Sequence, residues 1–256
     1  MIMIKSSKEI EAMRRGGKIL SGVMAELEKE AVPGKNTFEI DGLAEGLIAE
    51  AGGKPIFKGY GKENGNPYPA TICASINSEI VHGIPKKDKI LREGDILKID
   101  IGMSYEGMVT DMARTFAIGR IGVEAQKILD VTRECLDIGI EKIKDGASLE
   151  EYSGAVQDYV EAHGFSIVRD LVGHGGGREL HEDPHIPNYR STQEDITLKK
   201  GMTLALEPMV NAGTYKIKLE KDEWTYSTAD GRLSAHFEDT VLVTEDGAEI
   251  LTRIRG

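Results

Sequence analysis

The order of elements in the first half of the sequence recurs in the second half, at an offset of 111 residues. This offset places Thr37 on Ser148 and Gly53 on Gly164. In each half, two apolar stripes at helical spacing precede strand-like sequence. A sheet segment with one helix pair needs a second layer to bury its apolar face. We therefore predict two helix-helix-sheet halves packed about a pseudo-twofold axis, and chance similarity of amphipathic helices is the alternative.

Helix boundaries are predicted from capping residues and glycines. The pattern S-x-x-E is a capping box, a single Ser or Thr also caps helices, and glycine often follows the last turn. We expect the first helix to begin with a box at Ser6–Glu9 and the second to be capped by Thr37 and to stop at Gly52-Gly53. We expect the third to end at Asp145-Gly146 and the fourth to begin with a box of Ser148 and Glu151.

Strands are predicted where β-branched and other apolar residues are concentrated. In the first half these are 72–76, 80–81, 96–101 and 109–118, and in the second half 166–171, 202–206, 215–219 and 235–243.

The composition is that of a globular protein, with 40% hydrophobic and 29% charged residues among 256. No low-complexity linker separates the halves, so we expect a single domain, 1–256, with halves at about 1–120 and 121–256. No run of about 18 apolar residues and no signal peptide are found, which predicts a cytoplasmic protein without a membrane span. Only two cysteines are present, too few for a disulfide framework. The net charge of -11 opposes non-specific nucleic-acid binding.

Two aspartates occupy the arms of a predicted hairpin, Lys98 to Asp111. Turn chemistry at Ser104–Gly107 separates its arms. With Tyr105 and Glu106 at the centre of the turn, Asp100 lies directly opposite Asp111 and both carboxylates share one face. Like charges so placed are destabilising unless a cation offsets them. From these residues alone, a cation site and two solvated aspartates are both open.

Three residues of the second half are further candidate metal ligands. His174 lies in the glycine-rich run Gly173–Gly177, Glu207 ends an apolar strand, and Glu238 lies within another. A glutamate in an apolar strand is costly to bury without a cation, although each residue alone also fits a strand edge that reaches water. With Asp100 and Asp111 they form an oxygen-rich set with one nitrogen, which suits two divalent ions: Mn, Fe, Co or Zn. Hydrolysis is the natural chemistry of such a pair.

Three competing motifs fail. His181-Glu182-Asp183-Pro184-His185 matches the zincin pattern HExxH, but Pro184 would break the helix that this pattern requires. The run from His174 to Gly177 resembles the oxyanion loop of lipases, yet the chain has no G-x-S-x-G nucleophile elbow. As a phosphate-binding loop it lacks the following Lys-Ser/Thr.

Five motifs in order carry a resemblance to a known family. They are Asn77-Ser-Glu-Ile-Val-His82-Gly-Ile-Pro85, Asp100 with Asp111-x-x-Arg114-Thr115-Phe116, Gly173-His174-Gly175 with His181-Glu182-x-Pro184, Glu207-Pro208-Met209, and Phe237-Glu238-Asp239-Thr240. The chain resembles the type I methionine aminopeptidases, which are pita-bread metallopeptidases, over nearly its whole length. The resemblance implies an α+β pita-bread fold with pseudo-symmetric halves around a central antiparallel sheet.

The resemblance also implies roles for individual residues. Asp100, Asp111, His174, Glu207 and Glu238 would hold two divalent ions, with Asp111 and Glu238 bridging them. Glu207 would help to move the proton of the attacking water. His82 and His181 would bind the substrate near its scissile amide and stabilise the tetrahedral intermediate.

An apolar pocket for the methionine side chain is implied at Tyr68, Cys73, Leu180 and Trp224. The chain departs from the family pattern at Leu180, where phenylalanine is common, and at Asp239, where histidine is common. The segment 61–69 is also unusual, which bears on Tyr68.

The expected activity is removal of the initiator methionine from nascent polypeptides, preferably before a small second residue. The resemblance implies a monomer, and ribosome proximity is a further expectation. A proline-specific relative of the same fold is the nearest alternative, but such enzymes usually carry an N-terminal domain and an arginine where this chain has His236. A non-catalytic pita-bread binding protein would be expected to have lost ligands.

Overall fold

The computed structural model of the chain describes residues 2–191 and 195–253. Its α-helices form two sequential pairs: α1 (Ser7–Glu30) with α2 (Thr37–Glu50), and α3 (Val123–Ile140) with α4 (Leu149–Ala162). The strands within the described ranges are β1 (Lys54–Pro55), β2 (Ile72–Ile76), β3 (Glu79–Val81), β4 (Ile96–Tyr105), β5 (Met108–Ala117), β6 (Ser166–Ile167), β7 (Gly173–Gly175), β8 (Glu182–Ile186), β9 (Thr203–Leu206), β10 (Met209–Asn211), β11 (Ile217–Leu219), β12 (Tyr226–Thr228), β13 (Ser234–His236), β14 (Glu238–Val243) and β15 (Ala248–Ile250).

The helix pairs repeat the order that the sequence predicts, and each pair leads into a short strand, β1 or β6. Two core clusters match them. One packs α1 and α2 against β2, β4 and β5, and the other packs α3 and α4 against strands of the second half, including β9 and β14. Each helix pair thus packs mainly against apolar residues of its own half, although Ile96 of β4 belongs to the cluster of α3 and α4. Within the described ranges, no helix has both the length and the apolar character that a membrane crossing requires.

Helix ends follow the predictions in part. The capping box of Ser6 and Glu9 is confirmed. The prediction that Thr37 caps α2 is wrong, because Asn36 accepts from the amide of Glu39 at 2.9 Å, while the Thr37 hydroxyl faces inward and accepts from the amide of Lys86. Ser148 caps α4, but Asp195 rather than Glu151 completes that cap.

The predicted end of α3 at Asp145-Gly146 is also wrong, because the helix ends at Ile140. The amides of Asp145 and Gly146 instead bond to the carbonyls of Thr244 and Leu198. Tertiary hydrogen bonds replace the last helical turn there.

A nine-stranded antiparallel sheet joins the two halves. Its order is β1-β4-β5-β14-β9-β7-β8, with β2 also on β4 and β15 also on β14. Two three-stranded sheets flank it, β13-β10-β6 and β11-β12-β3. The junction between the halves is the β5–β14 pair, in which Glu238 lies opposite Ala113.

Strand predictions hold for the first half and are too long in the second. Only Ser166–Ile167 of the predicted 166–171 is a strand, because the following residues leave the sheet and reach Leu171, which lines a cavity. The predicted 235–243 is divided at Phe237 into β13 and β14, which belong to different sheets.

The hairpin of β4 and β5 has a register that differs from the prediction. Its turn is centred on Glu106-Gly107, with φ of +50° and +80°, as a type I′ turn requires. Asp111 consequently pairs with Gly102, and Asp100 with Ala113. The prediction that Asp100 lies directly opposite Asp111 is therefore wrong, and the pairing is shifted by two residues. Because side chains alternate with a period of two, this even shift keeps both carboxylates on one face.

Candidate active site

A single cavity of about 450 Å³ is lined by every residue that the sequence proposed for the site. These are Tyr68, Cys73, His82, Asp100, Asp111, His174, Leu180, His181, Glu207, Trp224 and Glu238. They come from both halves of the chain and from residues far apart in sequence. Their convergence is the main observation that identifies the site.

Adjacent strands place the acidic residues and His174. Asp100 lies on β4, Asp111 on β5 and Glu238 at the start of β14, which are neighbours in the sheet. Glu207 directly follows β9, and His174 is the middle residue of β7. The order of the strands in the sheet therefore brings side chains that are distant in the sequence next to one another.

The distances within this row are those of a potential ligand cluster. The Nε2 atom of His174 lies 3.8 Å from Oδ2 of Asp111 and 3.6 Å from Oε1 of Glu207. One potential ligand atom from each of Asp111, His174 and Glu238 lies within 4.8 Å of the others. Among the described residues, Oδ1 of Asp111 and Oε1 of Glu238 are buried without a hydrogen-bond partner. Buried carboxylate oxygens left in this way are stabilised either by a proton or by a bound cation.

Burial and mutual repulsion oppose ionisation of these carboxyl groups. Burial raises the pKa of Asp100 to about 7. Burial first, and then repulsion from neighbouring carboxylates, raises the pKa values of Asp111, Glu207 and Glu238 well above their usual range. Divalent cations would reverse this balance by stabilising the charged forms. Four carboxylates with one imidazole match the oxygen-rich donor set that such ions prefer.

His174 has the protonation pattern of a ligand. Its Nδ1 atom lies 2.9 Å from the carbonyl oxygen of Gly175. A carbonyl oxygen can only accept, so Nδ1 carries the proton and donates it. Burial lowers the pKa of His174 to about 4, which keeps the ring neutral. The Nε2 lone pair therefore faces the carboxylates and is available to a metal.

The part of the cavity wall that adjoins the acidic cluster is mostly apolar. Tyr68 and Cys73 are buried in a cluster with Phe57 and Ala70, and Leu180 and Trp224 pack against it. The rings of Tyr68 and Trp224 meet edge to face, with centroids 5.2 Å apart. The Tyr68 hydroxyl is 3.1 Å from the carbonyl oxygens of Ile72 and Gly83, which holds it in the wall despite the unusual segment before it.

Two further histidines, His82 and His181, line the same cavity. Burial lowers the pKa of His82 to about 4, and burial also lowers the pKa of His181. The ring of His181 meets that of His174 edge to face, with centroids 4.4 Å apart. Both can therefore act as neutral hydrogen-bonding groups next to the acidic cluster.

The zincin motif is not a metal site here. Glu182–Ile186 is the strand β8, so His181 and His185 do not lie one helical turn apart. Glu182 accepts hydrogen bonds from Lys5 and from the amides of Arg178 and Glu179. These hydrogen bonds stabilise the loop that contains Leu180 and His181.

Asp239, where the chain differs from the family pattern, does not line the cavity. Asp239 follows Glu238 on β14 and points to the opposite face, where Arg114 and Arg253 bind its carboxylate at 2.6 Å and 2.7 Å. Asp239 therefore adds no ligand atom to the cavity, and it acts on the cluster only through repulsion of Glu238.

Several residues of the site were missed in the sequence. Phe57, Tyr60 and Met209 also line the cavity. His236 is buried with neither ring nitrogen hydrogen-bonded among the described residues, and its Nε2 lies 3.7 Å from Glu207. Met209 could have been found from its place after Glu207-Pro208, whereas Phe57 and Tyr60 carry no local signal.

A cluster of buried acids and one metal-ready histidine beside an apolar pocket defines a metal-dependent hydrolase. The model of metallopeptidase family M24 matches residues 11–245. The chain is 48% identical to a methionine aminopeptidase of Clostridium acetobutylicum, over 98% of this chain and 99% of that protein. A methionine aminopeptidase crystal structure from Thermotoga maritima superposes with a TM-score of 0.95 at 44% identity, covering 99% of this chain and 100% of the other.

The chain belongs to metallopeptidase family M24 and, within it, to the methionine aminopeptidases. The predicted pita-bread fold is confirmed, as is the prediction of a metal-dependent hydrolase. A prolidase from Pyrococcus furiosus superposes with a TM-score of 0.77 at 24% identity, over 99% of this chain and 66% of that one. That likeness shows the fold alone, and the comparisons favour the methionine-specific class over the proline-specific one.

Proposed function

We propose that this chain removes the N-terminal methionine from polypeptides, preferably when the second residue is small. The observation that carries the proposal is the single cavity in which an acidic cluster adjoins an apolar wall of Tyr68, Cys73, Leu180 and Trp224. An unbranched apolar side chain fits that wall, and the adjoining peptide bond would then lie beside the acids. The sequence relatives named methionine aminopeptidase support the same activity.

The acidic cluster is assigned to two divalent metal ions. Asp100, Asp111, His174, Glu207 and Glu238 would hold them, with Asp111 and Glu238 shared between the two. Unpaired oxygens on Asp111 and Glu238 and the free Nε2 of His174 support this assignment. Bound ions of this kind polarise a carbonyl oxygen and make water more acidic.

The protein side chains supply proton transfer and orientation. Glu207 accepts a proton from the attacking water and delivers it to the leaving amine. His82 and His181 donate hydrogen bonds near the scissile amide, where negative charge develops on oxygen. The buried wall excludes water from the space beside the bond.

The activity test compares two peptides and several metals. The protein is treated with a chelator, and Mn, Fe, Co or Zn is then added back. We expect methionine release from Met-Ala-Ser to be lost on chelation and restored by at least one metal. An Xaa-Pro peptide serves as the competing substrate. Full release without metal, or preference for the proline peptide, would refute the proposal.

Four further predictions complete the proposal. Residues 1–256 act as a single catalytic domain, which the sheet shared by both halves supports. The substrates are nascent chains, so the protein works in the cytoplasm and near ribosomes. It acts as a monomer, and the presence of all the proposed ligands in one chain is compatible with this.

A further inference from the structure

Tyr60 contacts one of the two histidines proposed to bind substrate. Its hydroxyl lies 2.7 Å from Nδ1 of His181, and the two rings meet edge to face with centroids 5.4 Å apart. Nothing in the local sequence links these residues, which are separated by 121 positions. The contact therefore depends on the fold.

His174 and His181, whose rings are in contact, have different kinds of partner on Nδ1. For His174 the partner is the Gly175 carbonyl, which accepts, so Nδ1 is protonated and Nε2 is not. For His181 the partner is a phenol hydroxyl, which can donate. In a neutral imidazole only one nitrogen carries a proton, and the partner of one nitrogen determines the role of the other.

The substrate imposes the choice for His181. The oxygen of a scissile amide can only accept a hydrogen bond, so His181 must present a proton on Nε2. Its Nδ1 must then accept, which requires a donor as its partner. Burial, followed by repulsion from Glu63, raises the pKa of Tyr60, so the phenol keeps its proton and remains a donor.

We propose that Tyr60 is a positioning residue that fixes His181 as the Nε2-protonated tautomer, opposite to the tautomer of His174. The pair of tautomers lets neighbouring imidazoles do different work, one as a lone-pair ligand and the other as a hydrogen-bond donor to the substrate. This inference rests on the proposed role of His181.

The backbone around Tyr60 holds its hydroxyl in place. The amide of Tyr60 donates to the carbonyl of Phe57, and its carbonyl accepts from the amide of Tyr68 at 2.8 Å. Gly59 and Gly61 flank it with φ of +88° and +74°, a conformation that favours glycine. Tyr60 is thereby tied to the pocket residue Tyr68, although 43% of its surface is exposed.

The first test reads the tautomers directly. Nitrogen NMR of zinc-loaded protein labelled with ¹⁵N at histidine distinguishes protonated from unprotonated ring nitrogens. We expect a proton on Nε2 of His181 and on Nδ1 of His174. Tyr60→Phe should shift the His181 signals and leave those of His174 in place. A proton on Nδ1 of His181 in the native protein would overturn the inference.

The second test is kinetic and uses a matched control. Tyr60→Phe should lower kcat for Met-Ala-Ser about tenfold with little change in KM, because the lost hydrogen bond acts through a donor used in the transition state. Tyr189→Phe removes a phenol hydrogen bond to the Arg169 carbonyl, outside the cavity, and should leave kcat unchanged.

A double variant separates positioning from a general structural effect. In a His181→Ala background, Tyr60→Phe should cause no further loss. An equal loss in both backgrounds would show that Tyr60 does not act through His181. If the native protein releases no methionine, the proposed activity fails, whereas the NMR result still decides the tautomer.

Discussion

Asp100 is the carboxyl group of the site whose ionisation is opposed mainly by burial. Its pKa of about 7 in the folded, metal-free protein exceeds the value of about 3.9 for an unfolded chain. The folded state therefore keeps a proton that the unfolded chain releases. The stability contributed by this difference is fully present below about pH 4 and is lost as the pH rises through about 7.

Asp100→Asn should remove this pH dependence. In metal-free protein, we expect the melting temperature of the variant to exceed that of the native chain by an amount that grows from pH 5 to pH 8. Buried histidines such as His82, whose pKa is lowered, titrate with the opposite sign and are common to both proteins. Loss of the Asp100 charge also reduces the repulsion that raises the pKa values of Asp111, Glu207 and Glu238, which acts in the same direction as the loss of Asp100 itself. Thermal unfolding after chelation measures the effect.

The control is Asp246→Asn, at an exposed position outside the cavity. Its melting temperature should differ from that of the native chain by the same small amount at both pH values. A constant difference for Asp100→Asn as well would contradict the assigned burial effect.

Candidate site residues could be predicted where a residue type is unusual for its local sequence. Glu207 and Glu238 are anomalous within apolar strands, and His174 is anomalous within a glycine run, so each attracts attention alone. Tyr60 and His236 leave no such trace, because an aromatic residue after glycine and a histidine before phenylalanine fit many surroundings. Only the folded chain brings Tyr60 near His181 and His236 near Glu207.

The β4–β5 hairpin shows how an element can be predicted with the correct face and the wrong register. Ser104–Gly107 contains turn residues throughout, and centring the turn on Tyr105-Glu106 or on Glu106-Gly107 satisfies the apolar pattern almost equally. The second choice places glycine where φ is +80°, and a type I′ turn matches the twist of the strands. Backbone conformation therefore decides the register.

Gly107→Ala tests this turn at the level of the element. The added methyl group meets no atom within 4 Å, so its effect comes from backbone conformation alone. We expect a loss of about 1 kcal/mol in the free energy of unfolding, because alanine disfavours positive φ. Urea unfolding of the metal-loaded protein provides the measurement.

Gly42→Ala is the matched substitution, since Gly42 lies inside α2 and an added Cβ there also meets nothing within 4 Å. Alanine is the better helix former, so this variant should gain about 0.5–1 kcal/mol. Effects of the same sign at both glycines would disprove the conformational explanation.

Helices and first-half strands were predictable because their periodicity is local. The second-half strands were harder, since β6, β7 and β10 have two or three residues and carry little pattern of their own. Phe237 separates β13 from β14, which belong to different sheets, and the sequence there has no turn residues that would predict this division. Sheet membership at such points depends on partners elsewhere in the chain.

Lys98 connects the two halves of the whole molecule. Its side chain is 1% exposed, and its Nζ donates to the carbonyl of Asn77 at 2.7 Å and to that of Ser234 at 3.0 Å. These carbonyls belong to opposite halves. The contact sits beside the sheet junction and satisfies two buried acceptors at once.

Lys98→Met should destabilise the protein by about 2 kcal/mol, because it preserves the length of the side chain but removes the Lys98 donor from the Ser234 carbonyl and leaves the Asn77 carbonyl with the amide of Ser234 alone. Equilibrium unfolding in urea measures the loss. Lys218→Met, at a largely exposed lysine, should change the free energy of unfolding by less than about 0.5 kcal/mol. Comparable small effects at both lysines would show that Lys98 does not brace the halves.

The division of the cluster between halves has a consequence for the timing of biosynthesis. β4 and β5 can pair once residue 117 has emerged from the ribosome, whereas Glu238 joins Asp111 only after β14 has paired with β5. A chain arrested on the ribosome before residue 238 thus carries two neighbouring carboxylates without their partners. On the proposed assignment, an enzyme that trims nascent chains has no catalytic centre while it is itself being translated, and its first turnover must await β14.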